Sequence, residues 1–355
     1  MNTPGSGSES PYRTRVRDAR PSAPTLEDVA RSAGVSLATA SRVLNGSERK
    51  VADSFRERVE QAAAELGYTP NVSAQATARG TSPVIALLVA DIADPYFGLI
   101  ASGVARGADE QGLIVTIAIT ERDAAREARI VRALRGQRPQ GLILAASRTD
   151  EPTEQESRHE LAEFARLGVR VVTLGDGRSG ERNVEIDNAS GAEALGRRMA
   201  DLGYRSAIAL AAAEGVRTSD SRLEGFQRGF EAGGGVLQRV HRGGFRRESG
   251  EETMAAALAD GIERRTLVFA ISDVVAIGAM TAIRAAGRDI GSDIAVCGFD
   301  DVPSSLDVTP ALTTVHVPLA DVGYQAFRAT VDPDWSPMPL PLDVVVREST
   351  PRVAP

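Results

Sequence analysis

The stretch TLEDVARSAGVSLATASRVLNG, residues 25–46, reads as two short helices separated by a glycine turn. In the first, Leu26, Val29 and Ala30 recur at helical spacing, Thr25 stands where an N-cap belongs, and Glu27 and Asp28 lie where the helix dipole favours acid. Ala33 and Gly34 permit a sharp turn. Ser36 then caps a second helix whose Ala40, Val43 and Leu44 pack back on the first, leaving Ser36, Leu37, Ala38, Thr39, Ser41 and Arg42 facing outward. These side chains are small, polar or cationic. A helix lying in a DNA major groove has to touch base edges and phosphates without clashing, and this composition suits that task. A structural helical hairpin with a solvated face has the same pattern; the run from Ser36 to Gly46 as a whole favours DNA binding.

On the N-terminal side, residues 1–24 are rich in Gly, Ser and Pro without periodicity and are expected to form a disordered tail. Its Arg13, Arg15, Arg17 and Arg20 read as solvated charges, with a basic arm along the DNA backbone as the alternative. On the other side, a helix from Asp53 to Leu66 presents Phe55, Val59, Ala62, Ala63 and Leu66 on one face and closes a three-helix domain over residues 25–70. Residues 71–82 read as a linker, in which Val72 to Arg79 is too polar and Ala-rich for a helix stable alone. From Pro83 to residue 350 apolar strands alternate with amphipathic helices. Strands are predicted at Val84–Ala90, Leu113–Ile119, Gly141–Ala145, Val169–Leu174, Ala207–Ala212, Leu267–Ile271, Ile294–Phe299 and Leu342–Arg347. A βα repeat builds a parallel sheet, and two sets in tandem give two lobes.

Composition bounds the function. A chain of 355 residues predicts one small and one large unit. No apolar run is long enough to span a bilayer and no signal-peptide core opens the chain, so a cytoplasmic protein is expected. The single cysteine, Cys297, excludes an intramolecular disulfide and reads as a small buried hydrophobe. The net charge of −7 argues against nucleic acid until its distribution is seen. Residues 1–80 hold eleven Arg and Lys against nine Asp and Glu, a net of +2, and the remainder carries −9. The cationic excess travels with the helix-turn-helix, and dimerisation would double it. No GxGxxG, Walker loop or GxSxG elbow appears, and His159, His241 and His316 lack metal-ligand spacing, so no enzyme, cofactor or metal is expected.

In open parallel sheets ligands bind at the carboxyl ends of strands, so the loops there nominate a binding set. It comprises Asp94, Tyr96 and Phe97 after the first strand, Asp187 between the two βα sets, Arg222, Phe245, Ser272, Asp273 and Asp300. An arginine and carboxylates grip vicinal hydroxyls while an aromatic plate covers the apolar face of a ring. Each also has a structural reading: Arg222 as a local cap or ion pair, Asp300 as a turn residue, Tyr96 or Phe97 as helix core.

The segment TLEDVARSAGVSLATASRVLNG, followed by ELGYTPN and far downstream by VCGFDD, ALTTVHVP and VVREST, closely resembles the lactose/galactose repressor (LacI/GalR) family of bacterial transcription regulators. The resemblance runs from about Thr25 to the end. It implies an α/β fold with an N-terminal three-helix helix-turn-helix domain and a two-lobed, periplasmic-binding-protein-like effector domain. The lobes would be joined by crossovers near Asp187, Thr314–Pro318 and Asp332–Leu340. It also implies that residues 72–79 form a hinge helix over the DNA minor groove, adding Asn71, Thr77 and Arg79 to the DNA-facing set of Thr25, Ser36 to Thr39, Ser41, Arg42 and Asn45. The family places a wedging leucine where this chain has Thr77. A threonine is shorter and polar, so weaker DNA bending is expected. Arg222 and Asp300 match the positions the family uses to hold its effector, and Phe245 its ring-stacking aromatic. Ser272 and Gly175 depart from the usual Asn and Asp, so no particular sugar carries over.

The expectation is a homodimeric regulator, a repressor of a double-stranded operator, controlled by a small polar metabolite such as a sugar. A solute-binding protein of a transport system is the alternative. No heptad pattern follows the last strand, which favours a dimer over a tetramer. Arg222→Ala is expected to abolish ligand binding and leave the fold intact.

Overall fold

The computed structural model describes residues 24–45, 51–69, 81–145, 154–175 and 182–353. The chain forms two compact units, residues 1–75 and 76–355. In the first, helices α1 (Leu26–Ala33), α2 (Leu37–Asn45) and α3 (Asp53–Leu66) enclose a core of Val29, Ala30, Ala33, Ala40, Val43, Val59, Ala62 and Ala63. Small side chains at these positions let three short helices approach closely. Phe55 and Leu66 were expected on the inward face of α3, yet both stay exposed, at 42% and 39%. They sit toward the ends of α3, outside the buried cluster: Leu66 lines an open surface hollow with Asp28, Arg31 and Ser32 of α1, and Phe55 lies under the Arg58 guanidinium, 5.7 Å from its ring centre.

The second unit contains two parallel sheets. The first has the order β2-β1-β3-β4-β5, with β1 Val84–Val89, β2 Ile114–Ile119, β3 Gly141–Leu144, β4 Arg170–Leu174 and β5 Arg182–Val184. Helices α4 (Pro95–Glu110), α5 (Ala124–Arg135) and α6 (Glu154–Arg166) connect its first four strands. The second sheet has the order β7-β6-β8-β9, with β6 Ser206–Ala212, β7 Val236–Gly243, β8 Thr266–Ala270 and β9 Ile294–Cys297. Its helices are α7 (Asn188–Asp201), α8 (Arg217–Ala232), α9 (Arg247–Ala259) and α10 (Asp273–Ala285). Strands β1, β3, β8 and β9 are almost wholly buried, as sheets covered on both faces require. The cysteine, Cys297, lies at the end of β9 with no exposed surface, and burial pushes its thiol pKa up, away from reactivity.

The chain passes between the sheets three times. It leaves β5 and enters α7 through residues 185–187. After the short helix α11 (Ser304–Asp307) and strand β10 (Thr314–His316), α12 (Leu319–Val331) returns to pack on α4, β3, β4 and β5. Residues 332–342 lead back to β11 (Asp343–Val345), which pairs antiparallel with β10. The α4–α12 contact depends on glycine. A Cβ on Gly103 would lie 1.9 Å from the Ala320 carbonyl oxygen, and one on Gly323 would lie 2.0 Å from that of Ile100. No helix of the described residues is long and apolar enough to cross a membrane.

Candidate functional sites: a helix-turn-helix surface and an interlobe cleft

Local chemistry builds the small unit as its sequence demands. Thr25 and Asp28 form a capping box at the start of α1, with the Thr25 amide donating to Asp28 Oδ2 at 3.0 Å and the Asp28 amide donating to Thr25 Oγ1 at 3.3 Å. The hydrogen bonds from Thr25 hold the Asp28 carboxyl below its ordinary pKa. Gly34 ends α1 in the left-handed region at φ 64°, and Arg58 of α3 donates to the carbonyls of Ala33 and Gly34, clamping the turn. The Thr39 amide donates to Ser36 Oγ at 3.1 Å, fixing the start of α2. Outward from that start stand Ser36, Leu37, Ala38 and Arg42, all exposed, with Thr39 and Ser41 half-buried. Leu37 is 51% exposed at the tip, an apolar side chain that no intramolecular packing explains. Asn45 closes α2; Asn71, Thr77 and Arg79 lie outside the described residues.

In the large unit the carboxyl ends of the strands converge on a cleft of about 400 Å³ lined by Asp91, Asp94, Arg122, Phe245, Arg246, Arg247 and Glu248 together with Ala93 and Val274. Both lobes contribute. Asp94 caps α4 through the Tyr96 amide at 3.0 Å, and its loss of solvent raises its pKa against the opposing pull of Arg122 and Arg222. Phe245 is 8% exposed, and Arg122 from the other lobe lies over its ring at 4.6 Å.

At the root of the second lobe, Arg222 of α8 is 2% exposed. It donates from Nε to Asn188 Oδ1 at 2.8 Å, from Nη1 to the Ile271 carbonyl at 2.7 Å and from Nη2 to Asp300 Oδ1 at 2.8 Å. The Phe299 ring centre lies 4.0 Å from its guanidinium carbon. Burial pushes Asp300 up to about 7 despite the ion pair with Arg222, with Asp94 adding a like charge. Asp300 has φ 113° and Asp301 φ 56°, backbone strain of the kind that persists where a site over-determines its loop.

The structure brings Asp94, Arg222, Phe245 and Asp300 toward one region and gives other nominated residues different work. Asp273 is fully buried, accepting from the Val302 amide at 3.0 Å and from Thr314 Oγ1 at 2.6 Å, and burial beside Asp300 raises its pKa well above the usual range. Ser272 caps α10 through the Val275 amide, and exposed Asp187 caps α7 through Ser190. Phe97 is a core side chain at 3% exposure, in edge contact with half-buried Tyr96 at 5.0 Å. Arg222 is thus part of the lobe's buried scaffold, behind the residues that line the cleft, which argues against the expectation that its truncation leaves the fold intact. Sequence reading missed Asn188 as the partner of Arg222, and missed Arg122 and Arg246, which sit in ordinary charged stretches. A larger cavity, about 510 Å³, lies between α6 and β4; Arg170 and Arg182 on its wall are committed to carbonyls of residues 329–333.

The geometry has counterparts. Residues 25–71 match the model of the bacterial regulatory proteins of the lacI family, and residues 197–350 match the periplasmic binding protein-like domain. The chain is 30% identical to the HTH-type transcriptional regulator DegA of Bacillus subtilis over 92% of this chain and 98% of DegA. It is 32% identical to the regulator CelR of Thermobifida fusca over 87% and 91% of the two chains. Among solved structures, the Lac repressor dimer bound to operator and the anti-inducer ONPF superimposes with a TM-score of 0.79 at 27% identity, covering 92% of this chain and 99% of that one. A CelR–cellobiose complex does so with 0.66 at 30% identity and the same coverage. With a capped helix-turn-helix near the N-terminus, a two-lobed α/β unit later in the sequence and relatives of this identity spanning nearly the whole chain, the protein belongs to the LacI family of DNA-binding transcriptional regulators.

Proposed function

We propose that this regulator is a homodimeric repressor whose hold on a pseudo-palindromic operator is set by a sugar-like metabolite in the interlobe cleft. The observation that carries the reading is a cleft lined from both lobes by Asp94, Arg122 and Phe245, with the buried Arg222–Asp300 pair behind it near enough for its charges to act on Asp94. Lac repressor bound to operator and CelR bound to cellobiose support this reading of the two ends of the chain. On DNA, α2 enters the major groove through Ser36, Leu37, Ala38 and Arg42, and two copies read half-sites about 34 Å apart. Residues 71–82 are proposed as the hinge between the DNA-binding domain of residues 25–70 and the effector domain of residues 83–350. Thr77 there inserts poorly between base pairs, so the operator bends less than with a leucine.

The test is a thermal-shift screen of a sugar panel on the full-length protein, repeated on Asp94→Asn, which keeps a capping oxygen for Tyr96 and removes the charge. A sugar that raises the melting temperature of the parent and fails to raise that of the variant supports the cleft. A full shift in the variant contradicts it.

A further inference from the structure

We propose that the ligand of this cleft is anionic, a carboxylate or phosphate carried on a sugar-like body, and that Arg122 and Arg246 hold the charge from opposite lobes. This rests on the cleft being the ligand site. Arg122 lies in that cleft with no hydrogen bond or ion pair to any described residue; it stacks on the face of Phe245 at 4.6 Å, within the field of Asp94 and Asp91. A guanidinium stacked on a ring keeps its in-plane N–H donors free at the edge, the geometry that grips a carboxylate or phosphate bidentately. Arg246, on the far lobe, has its Nε 3.7 Å from Asp91 Oδ2 and is 63% exposed, so it too has donors to spare.

The contrast with other arginines is instructive. Arg222 and Arg347, which serve the scaffold, each donate three hydrogen bonds of 2.6–3.0 Å to oxygens of their own lobe. The cleft acids are also engaged: Asp94 receives the Tyr96 amide and Asp91 the Ala93 amide. The lining sets three arginines against three acids, so what it offers an anion is the unspent donors of Arg122 and Arg246 and not a net positive charge. Backbone strain aims one of them, since Glu121 and Arg122 hold φ values of 55° and 58°, two successive non-glycine residues in the left-handed region. An anion shared by Arg122 and Arg246 would relieve their repulsion and tie the lobes together, so ligand charge would couple to lobe closure.

The test compares glucose, glucuronate and glucose 6-phosphate, together with galactose, galacturonate and galactose 6-phosphate, by calorimetric titration of the full-length parent, Arg122→Gln and Arg122→Lys. At least one acid should bind about 10-fold or more tightly than its neutral parent sugar, the scale of a charge-assisted hydrogen bond. Arg122→Gln should erase that preference, and Arg122→Lys should retain part of it. The carboxylate and phosphate arms identify which group is carried. A neutral sugar binding as well as its acids, or an acid preference that survives Arg122→Gln, overturns the inference and leaves the cleft reading intact. If no sugar of either charge binds, the cleft reading itself fails.

Discussion

Removing the Arg222 guanidinium should cost fold stability, and the cost should depend on pH. In Arg222→Met the methylene volume is largely kept, but Asp300, 4% exposed, loses its ion-pair partner, and the Asn188 side-chain oxygen and the Ile271 carbonyl lose their donors. Stripping one partner from a buried pair costs about 3–5 kcal/mol, equivalent to roughly 6–20 °C in melting temperature for a domain of this size. In the parent, burial pushes Asp300 up to about 7 from the ordinary carboxylate value of 3.8. Between those values the folded state holds the proton more tightly than the unfolded chain, so this group's contribution to stability falls as pH climbs through the window and levels off above about 7. Without the cation that lowers it, the carboxyl of the variant titrates higher still, and its stability goes on falling where that of the parent has levelled off. The gap between the two proteins therefore widens above neutrality. Scanning calorimetry at about pH 6 and about pH 8.5 measures it, and Arg222→Met/Asp300→Asn should recover much of the loss at the higher pH. A gap under about 1 kcal/mol that is the same at both pH values would refute the reasoning.

Gly298→Ala should destabilise the second lobe by about 1–3 kcal/mol in chemical denaturation, because the new Cβ would lie 2.3 Å from the Asp273 carboxylate that ties α10 to Val302 and Thr314. Thr25→Ala should lower the stability of the three-helix unit by about 1 kcal/mol, seen as a lower melting temperature for its helical signal, since the capping box is lost. Arg42→Ala should weaken binding to DNA of any sequence and reduce the slope of log affinity against log salt by about 1 if the side chain meets phosphate, whereas an unchanged slope with relaxed sequence preference would mean it meets a base.

Much of this architecture was legible because local and global signals agree. Thr25, Gly34 and Ser36 mark helix ends by chemistry that acts within a few residues, and each element they predicted is present. The buried strands β1, β3, β8 and β9 announced themselves as unbroken apolar runs. Strands β5 and β7 did not: RNV and VLQRVHRG are polar edge strands, held by pairing to β4 and β6, and such pairing leaves no hydrophobic period to read. The cleft was half legible for the same reason. Arg222, Phe245 and Asp300 stand in distinctive surroundings, whereas Arg122 looks like any surface arginine in TERDAAREAR until the fold sets it against a ring from the other lobe. Asp273 shows the converse: a residue that reads as a ligand group is consumed by the scaffold, a distinction that only its contacts with Val302 and Thr314 can make.

The central claim is that ligand occupancy of the cleft controls operator binding, and the direct measurement is fluorescence anisotropy of a labelled operator fragment at fixed salt. The operator would first be selected from random duplexes with the protein itself. The account predicts that a cleft-binding sugar, neutral or acidic, shifts operator affinity by about 5- to 150-fold and saturates with its own binding curve, while a scrambled duplex shows no comparable shift. Operator affinity that stays constant as the cleft fills, or equal affinity for operator and scrambled DNA, would contradict it.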